Sequence, residues 1–424
     1  MKKAPAGDTY RATRPQQILL FALLINATGS GLYVASAPIY LVRYAELSEY
    51  EAGLGFTIGS AIALVMMAHF GYICDRMGAK LLYIVSCVAY AGAMVAFAQV
   101  RDMLTFTVVA TATGITSGAS AVARPALVRQ MSNGHLRWFR TRNRVVNNLG
   151  MALGAAGAIA ALKVDTLFAF QVIYLINAAS FVVCSAFVLL AVRSAGGVVE
   201  ARPTTRKWVA FRDRQFLRGT VLNGIIALQY PMLTFAMPLW AVEVIGSPPW
   251  LASGYVLLNT VLIVLLQSRI SRGIQSLPLA GKAMKHSGVI FTLNVVLIVI
   301  APLLSPLMAT IVLGLSVLVH SIGEALHAAA SQEVYYGMST DESQAEYAGV
   351  FWIGQGLALT AGPALLAVLC FGLGTPGWLM LAAIFLVTGW VSPRILAGGR
   401  RPSEQSASHA PVMSADMSVE GVKS

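Results

Sequence analysis

Apolar runs long enough to cross a bilayer recur twelve times along this chain, and no other feature constrains its fold more. A run of about twenty residues, wound as a helix, matches the thickness of a hydrocarbon core. Lipid offers no partner for a backbone N–H or C=O, so each run must satisfy its own hydrogen bonds as a helix. The predicted spans are 16–41, 51–72, 80–100, 103–128, 144–162, 168–192, 218–245, 250–270, 283–303, 306–330, 346–371 and 376–393. Only 11% of the residues are charged and 57% are hydrophobic. A soluble domain carries about 25% charged residues, so this is the composition of an all-α membrane protein.

The polar segments divide the chain. Residues 1–15 form a basic N-terminus with no small-x-small cleavage site after a short apolar core, so the first span is expected to be retained. Spans 1–6 cover 16–192, a linker covers 193–217, spans 7–12 cover 218–393, and a polar tail covers 394–424, expected to be disordered. Within the linker, Trp208, Phe211 and Phe216 alternate with basic residues. That pattern fits an interfacial helix on anionic lipid, or a solvated connector.

The net charge of +12 does not point to nucleic acid, because the cations collect in alternate loops. Apart from Arg124, inside a span, only Arg43, Arg101 and Lys163 fall on the side away from the N-terminus. By the positive-inside rule both termini are expected to be cytoplasmic. All seven tryptophans fall at or near predicted span ends, where an apolar ring with a polar N–H is at home. Cys74, Cys87, Cys184 and Cys370 have no metal-binding or disulfide spacing and read as packing residues.

One connector stands out. Residues 71–80, GYICDRMGAK, place Gly71, Asp75, Arg76, Gly78 and Lys80 between spans 2 and 3. They are expected to form a short, sharply turned loop at the membrane surface. As an isolated feature this is a hairpin loop with a surface ion pair. The spacing Gly-x-x-x-Asp-Arg-x-Gly-x-Lys resembles the signature between the second and third helices of the major facilitator superfamily of secondary transporters. RNRVVNNLGMALG and FQVIYLINAASF are similar to stretches of its bacterial efflux members, and the likeness covers about residues 15–393.

The resemblance implies two six-helix bundles that rock about a midplane site, with helices 1, 4, 7 and 10 lining the cavity. It also implies a conformational latch: Asp75 against the N-terminus of helix 11, with Arg76 and Lys80 as cationic partners and a capping box at Ser343 and Glu346 opening that helix. Drug-efflux antiporters carry a Gly-Pro pair on helix 5. This chain has Ala155 there and places its pair, Gly362-Pro363, on helix 11. An inner-membrane exporter that acts as a monomer is the expectation.

Polar side chains inside spans are costly and mark the working cavity. Asn26, Tyr33, Asn147, Asn148, Asn223, Gln229, Tyr230, Asn259 and Gln355 are the candidates for the substrate cavity. Span 10 carries the strongest group: His320, Glu324 and His327, spaced to share a helix face within roughly 60° of one another. A carboxylate there can bind and release a proton or hold a cationic substrate. Alternatively, the trio is a hydrogen-bonded lock between helices. Ligands from one helix do not close a metal's coordination sphere. Arg124 is expected to pair with Glu324 across the cavity in the inward-closed state, to bind an anionic substrate, or to snorkel to headgroups.

No phosphate-cradling Gly-x-x-x-x-Gly-Lys-Ser/Thr loop is present, so no nucleotide or other cofactor is expected. The function expected is proton-coupled export of a small amphipathic or drug-like molecule. An importer of a nutrient or metabolite is the alternative within the class. A transporter-like receptor or a membrane-embedded enzyme is the alternative outside it.

Overall fold

The computed structural model describes residues 12–132, 135–191, 209–339 and 344–397. The predicted linker up to 208, the capping box at Ser343 and Glu346, and the tail from 398 lie outside the described residues.

Among the described residues, twelve long helices cross the molecule. The first half holds α1 (Arg14–Arg43), α2 (Glu49–Met77), α3 (Ala79–Phe97), α4 (Met103–Gln130), α5 (Leu136–Val164) and α6 (Leu167–Ala191). The second holds α7 (Arg214–Val244), α8 (Pro249–Ser271), α9 (Leu277–Leu303), α10 (Pro306–Met338), α11 (Gln344–Leu366, wound on to Gly372) and α12 (Thr375–Leu396). Among the described residues, eleven helices are long and apolar enough to cross a membrane. The twelfth, α2, is 29 residues long and is flanked by α4 and α11.

Local chemistry sets the helix ends. Ser48 Oγ accepts from the Glu51 amide at 3.2 Å, and the Glu51 carboxylate accepts from the Ser48 amide at 2.9 Å. That reciprocal capping starts α2. Asp102 starts α4 by accepting from the Thr105 amide at 2.9 Å, and these bonds hold its carboxyl below its usual range.

The predicted loop over 71–80 is corrected by the structure. Helix α2 runs on to Met77 and α3 begins at Ala79, so the turn is Gly78 alone. Gly78 has φ +84°, which a side chain would strain. Gly71 lies within α2, with open space where a Cβ would stand.

Other expectations are corrected in the same way. Helix α5 begins at Leu136 rather than 144, so Arg140, Arg142 and Arg144 are helical. Helix α10 continues to Met338, beyond the predicted 330. Phe216 is fully buried against Tyr347 and Phe351 and faces no lipid. Trp240 and Trp378 are also buried, edge to face at 5.6 Å, and are core residues, whereas Trp352 and Trp390 are exposed.

Helices within each half approach through small residues, the usual device where lipid removes any hydrophobic drive between helices. Gly31 and Gly154 let α1 and α5 touch backbone to backbone, Gly59 and Gly114 do so for α2 and α4, and Gly288 and Gly389 for α9 and α12.

The halves meet along two seams, α2 with α11 and α5 with α8. A β-carbon on Gly53 would stand 2.7 Å from the Pro363 carbonyl oxygen. Pro363 has no N–H, and the next amide, Ala364, donates to Thr57 Oγ1 across the seam at 3.2 Å. Ser253 of α8 donates to the Ala35 carbonyl of α1 at 2.9 Å, and the Lys163 ammonium sits 5.1 Å from the Trp250 ring centre. Each of these contacts lies toward the face that carries Arg43 and Lys163, away from the Gly78 turn. The halves are therefore joined at that face. Toward the Gly78 face, α2 and α11 carry Tyr72 and Trp352, 66% and 58% exposed.

Candidate functional site

Glu324 sits on α10 with its side chain 15% exposed. Its Oε2 accepts from Asn259 Nδ2 of α8 at 2.9 Å. The same amide nitrogen donates to Ser321 Oγ at 3.1 Å, one turn back on α10. His320 Nε2 lies 3.9 Å from Glu324 Oε2, too far for a hydrogen bond.

The three α10 residues lie close together along one helix, as their spacing requires, but each meets a different neighbour. The His320 ring packs on Phe291 of α9, ring centres 5.3 Å apart. Glu324 turns to α8. His327 Nε2 bonds Asn223 Oδ1 of α7 at 2.9 Å, and its ring lies 6.2 Å from that of Tyr230. Small angular offsets about a helix axis suffice to send long side chains to different neighbours.

Arg124 is likewise placed by the structure. Its Nη2 donates to Asn143 Oδ1 at 3.1 Å and to Asn147 Oδ1 at 3.0 Å, both on α5. The pairing with Glu324 is expected in the inward-closed state; here the described bonds of Arg124 go to α5. Two amide carbonyls one turn apart suit a guanidinium, which delivers donors in a fixed fork. Asn143 was missed because it lies outside the predicted fifth span. Its spacing of four from Asn147 is the signal that could have found it.

The remaining candidates separate into groups. Asn223 and Asn259 are engaged as described, and Asn147 is held by Arg124. Asn148 and Gln355 are half-buried. Asn26 is buried, and its amide nitrogen makes no hydrogen bond. Gln229 is fully buried, with neither end of its amide hydrogen-bonded. It lies where α7 breaks: a turn at 227–228 and two π-helical stretches, Met232–Ala236 and Trp240–Val244, interrupt the helix. Tyr230 is half-buried beside it, within electrostatic reach of Glu324 on α10 and Arg144 on α5.

Tyr33 is half-buried on α1. It packs into an aromatic core of the first half, 5.2 Å from Phe97 and 6.3 Å from Tyr174. Asn177 of α6, fully buried with its amide unbonded, is a polar group that the sequence reading passed over. Of the latch residues, Arg76 is exposed in the last turn of α2 and Lys80 is half-buried at the start of α3. The side chain of Asp75, and those of residues 344–346 that would receive it, lie outside the described residues.

Two helical halves, joined toward one face, with a carboxylate inside the second half, make the architecture of a membrane carrier. The comparisons agree. The model of the major facilitator superfamily matches residues 19–363, and the chain belongs to that family. It is a multi-pass membrane transporter of small molecules, not an enzyme.

Among curated proteins, it is similar to sugar efflux transporter A of Dickeya chrysanthemi, 30% identical over 90 residues. That match covers 21% of this chain and only 23% of the relative. Among solved structures, the nucleoside transporter NupG superposes with a TM-score of 0.72 at 14% identity, covering 90% of this chain and 99% of that one. A POT family transporter in complex with 5-aminolevulinic acid gives 0.72 at 13% identity, covering 92% and 98%. These likenesses concern the fold.

Proposed function

We propose that the protein is a proton-coupled secondary transporter exporting a small amphipathic or drug-like molecule by alternating access. It works as a monomer in a bacterial inner membrane, with both termini cytoplasmic and its surrounding lipid as its only other partner. The carrying observation is Glu324, a carboxylate in the interior of a membrane helix, held by the neutral Asn259 amide. A carboxylate in such a site marks a proton or cation pathway. The distribution of cations supports the orientation. On that orientation the joined face is the outer one, so the conformation is open to the cytoplasm, where an exporter loads.

The relative named for sugar efflux supports export and extends the range of solutes to hydroxylated ones. In the outward-open state Asp75, Arg76 and Lys80, with the glycines at 71 and 78, latch the cytoplasmic face. Import of a nutrient or metabolite remains the alternative reading.

Proteoliposomes of known orientation test this. An imposed proton gradient should drive uphill movement of solute out of the cytoplasmic-side compartment. Glu324→Gln should abolish the uphill flux while leaving exchange of labelled for unlabelled solute. Uphill flux at the wild-type rate in that variant, or net movement in the import direction, would overturn the reading.

A further inference from the structure

We infer that Asn259 is the positioning residue through which the charge of Glu324 reaches α8 and the seam between the halves. The inference rests on the reading of Glu324 as the coupling carboxylate and goes beyond it by naming the relay.

Helix α8 touches both ends of the relay. On one side Tyr255 and Asn259, one turn apart, tie it to α10: the Tyr255 hydroxyl donates to the Thr310 carbonyl at 3.3 Å, and Asn259 donates to Glu324 and Ser321. On the other side Trp250 and Ser253, also one turn apart, tie it to the opposite half: Trp250 beneath Lys163, and Ser253 on the Ala35 carbonyl. All four residues lie within ten positions of one helix, so a shift of α8 against α10 moves the seam with it.

The chemistry at Asn259 makes such a shift depend on charge. A bond from an amide N–H to a carboxylate is charge-assisted and roughly twice as strong as a neutral one. Protonation places an O–H on Glu324 and leaves an acid that accepts weakly but can donate. Asn259 can answer by turning its carbonyl oxygen to that O–H or by falling back on Ser321. Either response re-registers α8 on α10.

The groups facing Glu324 are few. His320 on its own helix lies 3.9 Å away, and Tyr230 of α7 and, through it, Arg144 of α5 are within electrostatic reach. From α8 Asn259 bonds it, and from α9 Phe291 packs on the neighbouring His320 ring; neither titrates.

Double electron–electron resonance tests the relay in the full-length transporter in nanodiscs. Spin labels go on Tyr50→Cys and Leu373→Cys, exposed positions in opposite halves at the joined face, while the four native cysteines are buried. The wild-type protein should change its joined fraction between pH 5.5 and 8.5, and Glu324→Gln should abolish the change. Asn259→Ala should cut its amplitude about twofold or more. Tyr255→Phe, which removes a link of the same helix pair away from the carboxylate, should leave the pH profile intact. Should Asn259→Ala fail to fold, Asn259→Ser carries the same test, and Asn259→Gln should restore part of the response.

A wild-type amplitude and midpoint in Asn259→Ala, with Glu324→Gln flat, overturns the relay and leaves the carboxylate reading standing. An equal loss in Tyr255→Phe also overturns it, because any tie between the two helices would then serve. A pH response that survives in Glu324→Gln, or is missing from the wild-type protein, overturns the carboxylate reading instead.

Discussion

Gly53→Ala should push the transporter out of the conformation described above. The added Cβ would stand 2.7 Å from the Pro363 carbonyl oxygen and 3.0 Å from the Ala367 Cβ. Both neighbours belong to helical backbone or sit directly on it, so neither can swing aside as a flexible side-chain end would. Ordinary contact needs more than about 3.4 Å, so α2 and α11 must part at the seam by several tenths of an ångström. Overpacking of this kind costs about 1–3 kcal/mol. Removing a mid-helix glycine stabilises α2 by about 1 kcal/mol, but it does so in every conformation. The penalty falls only on the state in which Gly53 meets Pro363. A differential of about 1.4 kcal/mol moves a two-state population tenfold, so the joined state should lose about five- to a hundredfold in relative population. The spin-label pair at Tyr50 and Leu373 reads this directly as a longer mean distance. An unchanged distance distribution in Gly53→Ala would refute the reasoning, as would an equal shift from Gly71→Ala, where a Cβ meets open space.

Two further substitutions probe neighbouring contacts. Lys163→Gln removes the cation over Trp250, a contact worth about 0.5–1 kcal/mol at an exposed site, and should open the same seam about two- to fivefold by the same distance measurement. Arg124→Ala removes donors from Asn143 and Asn147 and should lower thermal stability in detergent by about 2–4 kcal/mol, while Arg124→Lys should recover only part of it, because an ammonium on a flexible stem lacks the fixed planar donors of Nη2.

The helical frame was legible because a hydrocarbon slab leaves a chain few options. Apolar length gave eleven of the crossings, and the charge asymmetry gave an expectation for their orientation. The ends of α5 and α10 were not legible. Hydropathy records where lipid stops, whereas a helix continues as long as its backbone bonds are made and its residues tolerate it. Arg140, Arg142 and Arg144 are adequate helix formers, so α5 projects past its apolar stretch. The compact turn at Gly78 was hidden for the same reason: a charged stretch reads as loop, yet α2 carries Arg76 in its last turn.

At the site, chemistry was more visible than partnership. Glu324 declared itself as an interior carboxylate. Periodicity could place His320 and His327 near it but could not say which helix each would meet. That depends on how α7, α8 and α9 surround α10, a tertiary fact. Tyr33 shows the converse: a tyrosine on a cavity-lining helix can spend its ring on Phe97 and Tyr174 inside one half.

The irregular winding of α7 has a mechanical meaning. Its counterpart α1 is a continuous 30-residue rod that keeps its path through Pro38. In α7 the turns at 227–228 and the wide π-helical stretches loosen the rod, with Pro231 and Pro238 set within it. Irregular winding of this kind should make α7 the more compliant of the two jaws. Strain raised when a cargo seats should gather in the softer jaw, so bending of α7 is where the stroke would first become visible.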